Sequence, residues 1–278
     1  MTIKNVFSYL LISIAILIIP INTFAKSQLT INAKSAIMMD TRTGRVIYEQ
    51  NADAPIQPAS ITKLLSLYLV YEALAEGKAH YSDKVKISVK AWKTGGTKMF
   101  VELGNEVPLY ELMKGMAVVS ANDASVAVAE YLGGDVAIFV KMMNDKAHEL
   151  GLRHSCFKNP HGLPAKGQFT TARDILKLSR AYIERFPQAL SIHSMRSYTY
   201  HNITQHNRNL LLKRCPNVDG LKTGYVALSG YHAVVTAKRG ATRLIVVVMG
   251  AKTPRIRTNE AQKLLEEGFK MAASSYAR

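Results

Sequence analysis

The pattern that most constrains this 278-residue chain is segregation: strand-like runs lie near both ends and helix-like runs fill the middle. Segments 36–40 and 45–48 flank Thr41-Arg42-Thr43-Gly44 and read as a hairpin. Helical patterns follow at 59–75, 108–118, 123–132, 135–150 and 170–185, the last announced by Thr170-Thr171 ahead of Asp174. Strand patterns return at 194–201 and between 222 and 250, where Leu244-Ile245-Val246-Val247-Val248 reads as a buried strand from its β-branched run. A final amphipathic helix is predicted from 259 to about 272. This order predicts an α/β (α+β) fold in which both chain ends enter one antiparallel sheet and the middle packs on it as a helical subdomain. The cleft between the two is the expected active site.

Residues 1–25 carry Lys4 as their only charge, run through an apolar stretch to Ile19 and break at Pro20 before Thr23-Phe24-Ala25. That is the plan of a secretory signal peptide, and the apolar run is short for a permanent anchor. The expected product is one exported domain over 26–278, in the periplasm or cell envelope, with no stable membrane anchor after signal cleavage and no further β-rich domain. Losing Lys4 with the leader lowers the net charge from +16 to +15, because residues 1–25 hold no Asp or Glu. An exported basic protein is not expected to meet nucleic acid; anionic envelope polymers or carboxylate-ended substrates suit the field, and so does a generally solvated surface. Cys156 and Cys215 are the only cysteines, so no disulfide scaffold is predicted, and one bridge or two free thiols both remain open.

Three short motifs carry the chemistry: Ser60-Ile61-Thr62-Lys63, Ser120-Ala121-Asn122 and Lys222-Thr223-Gly224. Two of them have rivals, Ser155-Cys156-Phe157-Lys158 and Lys93-Thr94-Gly95. Context chooses between them. Ser60 opens a stretch that is apolar around nearly its whole circumference, as a buried helix would be, and spacing i to i+3 brings Lys63 onto the same face. Ser155 lies in loop composition, with Arg153, His154, Asn159 and Pro160 around it. Lys222-Thr223-Gly224 leads into one arm of a strand pair turning at Leu228-Ser229-Gly230, whereas Lys93-Thr94-Gly95 leads into no alternating pattern.

The set resembles the penicillin-recognising serine acyl-transferases, for which it is a known signature. More closely, the chain looks like the low-molecular-mass penicillin-binding proteins that act as D-alanyl-D-alanine carboxypeptidases, and hence a β-lactamase/transpeptidase-like fold. The likeness extends over most of 33–270, through Gln57-Pro58-Ala59-Ser60-Ile61-Thr62-Lys63, Ser120-Ala121-Asn122-Asp123-Ala124, Asn159-Pro160-His161-Gly162-Leu163 and Asp219-Gly220-Leu221-Lys222-Thr223-Gly224. It implies that Ser60 attacks the carbonyl of the penultimate D-Ala, that Lys63 takes its proton and that Ser120 relays a proton to the leaving amine. Asn122 would hold the substrate amide and tether Lys63, while Lys222 and Thr223 bind the terminal carboxylate. The N–H groups of Ser60 and Tyr225 would form an oxyanion hole. Tyr225 stands after Gly224 where several relatives carry His, which bears on fine substrate preference. His161 lies in a loop resembling one that overhangs the cleft in relatives, either contacting substrate or simply solvated. Peptidoglycan stem peptides are the implied substrates and β-lactams the implied covalent inhibitors, with no cofactor and no metal.

A class A β-lactamase would need a carboxylate to activate water, and no E-x-x-L-N string occurs between 150 and 170, so penicillin is expected to inhibit and not to turn over. A DD-endopeptidase cutting peptidoglycan cross-links by the same chemistry is the alternative. A wall-binding or penicillin-sensing module without turnover would not need Ser60, Lys63, Ser120, Asn122 and Lys222 intact.

Overall fold

In chain order the strands are β1 (Ser35–Asp40), β2 (Arg45–Gln50), β3 (Lys84–Lys86), β4 (Glu106–Pro108), β5 (Ser197–Tyr200), β6 (Ile203–His206), β7 (Val218–Val226), β8 (Gly230–Arg239) and β9 (Thr242–Ala251). The helices are α1 (Lys63–Ala75), α2 (Val89–Lys93), α3 (Leu109–Lys114), α4 (Asn122–Gly133), α5 (Val136–Glu149), α6 (Ala172–Arg185), α7 (Leu190–His193), α8 (Leu211–Arg214) and α9 (Pro254–Tyr276). This computed structural model describes residues 29–276. The chain divides into two units, 1–30 and 31–278, and everything below concerns the second. The leader predicted at 1–25 lies outside the described residues. No helix among the described residues is long and apolar enough to cross a membrane.

Five strands form one antiparallel sheet in the order β2-β1-β9-β8-β7, so strands from both ends of the chain meet as expected. Helix α9 packs on β8, β9 and β1, and α6 also contacts β9 and β1. Strand β1 is buried at all six positions, and β9 is buried from Leu244 to Ala251. That double cover explains why β9 reads as an unbroken Leu-Ile-Val run and not as an alternation.

Helix α1 is buried from Lys63 through Glu72, as its all-round apolar sequence predicts. Each fully buried Leu here contributes about 1.5–3 kcal/mol relative to exposure. Tyr68 meets Phe186 edge-on at 5.2 Å and Tyr71 stacks on the same ring at 5.7 Å, fixing α1 against the end of α6. Glu72, nearly buried, receives Lys146 at 3.0 Å and Arg185 at 2.7 Å, and thereby ties α1 to α5 and α6.

Several boundaries differ from expectation for physical reasons. The helix predicted at 59–75 begins as a 3₁₀ turn over Ala59–Thr62, so Ser60 sits on a tight turn ahead of α1. The helix predicted at 108–118 is α-helical over Leu109–Lys114 and widens to a π-turn over Gly115–Val119 before Ser120 turns left-handed. The last helix starts at Pro254, five residues early: Thr253 Oγ1 accepts the Ile256 N–H at 3.1 Å, and proline is tolerated in a first turn. The strand expected from 194 begins only at Ser197, because Ser194 closes α7. Cys156 and Cys215 are free thiols.

Candidate active site

Ser60 is half-buried on its 3₁₀ turn, and the backbone of Gly224 in β7 closes on it: a Cβ at 224 would stand 3.1 Å from both Ser60 N and Ala59 Cβ. One turn on, the Lys63 side chain is wholly buried. Its Nζ lies 2.7 Å from Asn122 Oδ1, 2.8 Å from the His161 carbonyl and 3.3 Å from Ser60 Oγ. Burial first, then Lys222 and Arg208, hold this amine well below the usual lysine range, against an opposing pull from Asp123.

These partners fix the direction of the lone pair. A neutral amine has two N–H bonds, and Asn122 Oδ1 and the His161 carbonyl can only accept. They take both hydrogens at the two shortest distances. In that neutral form the lone pair faces Ser60 Oγ, the one of the three with a proton to give.

Ser120 follows the π-turn with φ 69°, a left-handed value that few non-glycine residues adopt. Its Oγ is buried and has no protein partner among the described residues. Asn122 starts α4, and its Nδ2 donates to the Gly95 carbonyl at 2.8 Å, so both ends of the amide are engaged. Asp123 accepts the successive N–H groups of Met99, Phe100 and Val101 at 3.0–3.3 Å and so fastens the segment that follows Gly96 and Thr97, which line the cleft. The rejected Lys93-Thr94-Gly95 copy therefore serves the site through the Gly95 carbonyl, while the Lys93 side chain is exposed. Ser155, the rejected serine, has its Oγ on Asp174 at 2.9 Å and beside Thr170 Oγ1 at 2.8 Å, a loop-fastening role.

Lys222 is 3% exposed, donates to the Thr223 carbonyl at 3.0 Å and is pushed down to about 7 by burial and by Arg208 and Arg257. Together with Ser60, Ser120 and Asn122, Thr223, Gly224 and Tyr225 line a cleft of about 430 Å³. Tyr225 stacks on Tyr231 at 4.3 Å and forms its aromatic rim. His161 does not line the cleft. Its ring Nδ1 accepts the Leu163 N–H at 3.1 Å, and burial with Lys63 nearby holds the imidazole down to about 3, so its carbonyl, not its ring, reaches the site.

Arg208 and Arg257 also line the cleft, and the sequence reading missed both. Arg257 sits in the first turn of α9, is nearly buried, and donates to the Arg208 carbonyl at 3.2 Å. No local spacing marks them, since Arg208, between β6 and α8, and Arg257, in α9, lie far apart in sequence and meet only in the folded chain. With Lys222 they make one end of the cleft strongly cationic, suited to a carboxylate. No cluster of potential metal ligands occurs among the described residues.

The family profile described as D-alanyl-D-alanine carboxypeptidase matches residues 22–253. The D-alanyl-D-alanine carboxypeptidase DacC of Escherichia coli is 43% identical over 248 residues, an alignment that spans 87% of this chain and 62% of that one. The chain thus spans less than two thirds of that relative's length. The crystal structure of penicillin binding protein 5 from Haemophilus influenzae superposes with a TM-score of 0.85 at 39% identity, covering 87% of this chain and 72% of that chain. Penicillin-Binding Protein D2 from Listeria monocytogenes, in its ampicillin bound form, superposes at 0.80 and 30% identity, covering 87% and 99%. By sequence and by fold, this chain belongs to the D-alanyl-D-alanine carboxypeptidase family of low-molecular-mass penicillin-binding proteins.

Proposed function

We propose that the protein is an exported serine D-alanyl-D-alanine carboxypeptidase, acting on peptidoglycan stem peptides through an acyl-enzyme on Ser60. The observation that carries this reading is the buried Lys63 amine, depressed below the usual lysine range and placed among Asn122 Oδ1, the His161 carbonyl and Ser60 Oγ so that its neutral form turns a lone pair to Ser60. Lys63 takes the Ser60 proton as Oγ bonds to the carbonyl carbon of the penultimate D-Ala. The oxyanion is received by the N–H groups of Ser60 and Tyr225, each such donor being worth about 3–4 kcal/mol in comparable sites. On collapse the C–N bond breaks, the amine of the last D-Ala takes a proton through Ser120 Oγ, and an ester on Ser60 remains. Water then attacks that ester with Lys63 again as base, releasing the shortened peptide. Asn122 faces the substrate amide, and Lys222, Thr223, Arg208 and Arg257 receive the terminal carboxylate.

Residues 150–173 contain no Asp or Glu, so the loop beside Ser60 offers no carboxylate to activate water against a β-lactam ester. The penicilloyl-enzyme is expected to be long-lived. Benzylpenicillin should label Ser60, found by peptide mapping, and Ser60→Ala should abolish the label; a label on Ser155 would sink the assignment. Supplied with a pentapeptide and with a cross-linked dimer, the enzyme should release free D-Ala from the first. Cleavage of the dimer alone would make it an endopeptidase, and no turnover a sensor.

A paired substitution separates the carboxylate site from general steering. Lys222→Gln and Lys93→Gln each remove one positive charge. Lys222→Gln should lower second-order acylation by about tenfold or more, the scale of a charge-assisted bond, and Lys93→Gln by less than about twofold. Equal losses at low salt that vanish together at high salt would show steering alone.

A further inference from the structure

His232 is wholly buried in β8, outside the cleft lining, directly across the ladder from Gly224. On its other side the β8–β9 register slips: Tyr231 pairs with Ala251 and Ala233 with Val248, so Met249 and Gly250 stand opposite His232 alone. The bulge turns the Gly250 N–H onto His232 Nδ1 at 2.9 Å. Because Nδ1 accepts there, the ring proton is on Nε2. Nε2 lies 3.0 Å from the Gln57 carbonyl and 2.9 Å from Ser229 Oγ, and Ser229 Oγ also donates to the Gln57 carbonyl at 3.1 Å. A second ring proton would set N–H against N–H at Gly250. Burial, reinforced by Lys34 and Arg257, keeps the imidazole neutral, down to about 4.

The Gln57 carbonyl belongs to a turn that needs an outside anchor. Pro58 has no N–H to give, and Ala59 sits at φ 48°, a left-handed conformation that its Cβ disfavours. At one end of the turn His232 and Ser229 hold the Gln57 carbonyl. At the other, Gly224, the ladder partner of His232, lies against Ser60 N. The two partners across one rung thus grip both ends of the nucleophile's turn.

We infer that His232, with Ser229, is a positioning pair that fixes the Gln57–Ser60 turn against β7 and so sets the spacing of the Ser60 and Tyr225 N–H groups that receive the oxyanion. This rests on the acyl-enzyme reading above. His232 touches no substrate; it acts through the Gln57 carbonyl. Its effect belongs to the acylation step and not to capture, since the carboxylate-binding cations are held by other contacts.

The test is the concentration dependence of benzylpenicillin acylation on the full chain, which separates reversible binding from the acylation rate constant. Gln places a carboxamide N–H near the position of Nε2, whereas Asn ends near the depth of Nδ1 and can satisfy Gly250 but not reach Gln57. His232→Asn should lower the acylation rate constant by about tenfold with reversible binding unchanged, and His232→Gln should restore it to within about threefold, misplacement of the donors being felt in the chemical step. Ser229→Ala, a small change that the fold should survive, should cost about threefold in the same constant. Equal constants for the Asn and Gln variants, losses that only track thermal midpoints, or an unaffected Ser229→Ala would each overturn the inference while leaving Ser60 labelling intact. A wild-type chain with no label on Ser60 would overturn the acyl-enzyme reading and the positioning role with it.

Discussion

Lys63→Arg should lower acylation of Ser60 by about three orders of magnitude or more, because a guanidinium stays protonated and offers no lone pair. The position is wholly buried, so the larger head also disturbs Asn122 and the His161 carbonyl. Lys63→Met separates the two effects: it fills similar volume, keeps the fold and should be as inert. Circular dichroism and thermal midpoints report the fold, and near-normal acylation in a folded variant would remove Lys63 from the mechanism. The same amine sets one limb of the pH profile. Its position is depressed, so its neutral, active fraction falls as pH drops through it, and acylation falls with it. The opposite limb belongs to Lys222, at about 7 in the empty cleft: as pH rises through that value the charge that captures a carboxylate is lost, until a bound carboxylate draws the proton back. In Lys222→Gln the alkaline limb should vanish, and the acid limb should move to higher pH because one of the charges depressing Lys63 is gone. Both shifts are readable from second-order acylation rates across pH.

Gly162→Ala should be the second severe change. Gly162 has φ 88°, and a Cβ there would stand 1.8 Å from the Ala59 carbonyl oxygen and 2.8 Å from Thr62 Oγ1. No rotamer relieves a clash between a backbone-attached carbon and another backbone. The 159–163 loop must withdraw, taking the His161 carbonyl off Lys63 and freeing the amine's orientation. Stability should fall by about 3 kcal/mol and acylation by about a hundredfold or more. Gly167→Ala is the matched control: its φ is also positive at 77°, but the nearest atom to a new Cβ is the end of Lys158 at 3.4 Å. It should cost about 1–2 kcal/mol, the backbone penalty alone, with acylation close to normal. Similar acylation in the two variants would show that the 162 contact does not hold the site.

Where pattern and packing ask for the same thing, the sequence was readable. The β-branched run of β9, the all-round apolar α1 and the hairpin of β1 and β2 each announce their place, and with them the joining of the two chain ends in one sheet. The short ribbon β3–β4 did not, nor did β6, the partner of the expected strand β5, because three or four residues are too few to show a period. The start of α9 is marked by Thr253-Pro254, whereas the apolar period that predicts the helix begins only at 259. In the site, spacing was enough to pair Ser60 with Lys63, since both lie within one turn. Arg208, Arg257 and the Gly95 carbonyl reach the cleft only through tertiary packing, and nothing in the pattern of β8 sets His232 apart from its neighbours. The His161 ring was singled out where the structure uses its carbonyl, an atom that every residue carries and no motif can mark.

The joining of early and late strands has a consequence for how the molecule comes into being. Met249 pairs with Ser35, so the sheet closes over a loop of more than two hundred residues. A chain delivered N-terminus first presents Ser60 and Lys63 long before β7 exists to face them. During that interval the serine has half of its surroundings, with no opposing strand to grip an extended peptide and no cationic end to seize a carboxylate. On the acyl-enzyme reading, reactivity is thereby withheld until the last third of the polypeptide has arrived, and acylation of Ser60 would certify completed assembly.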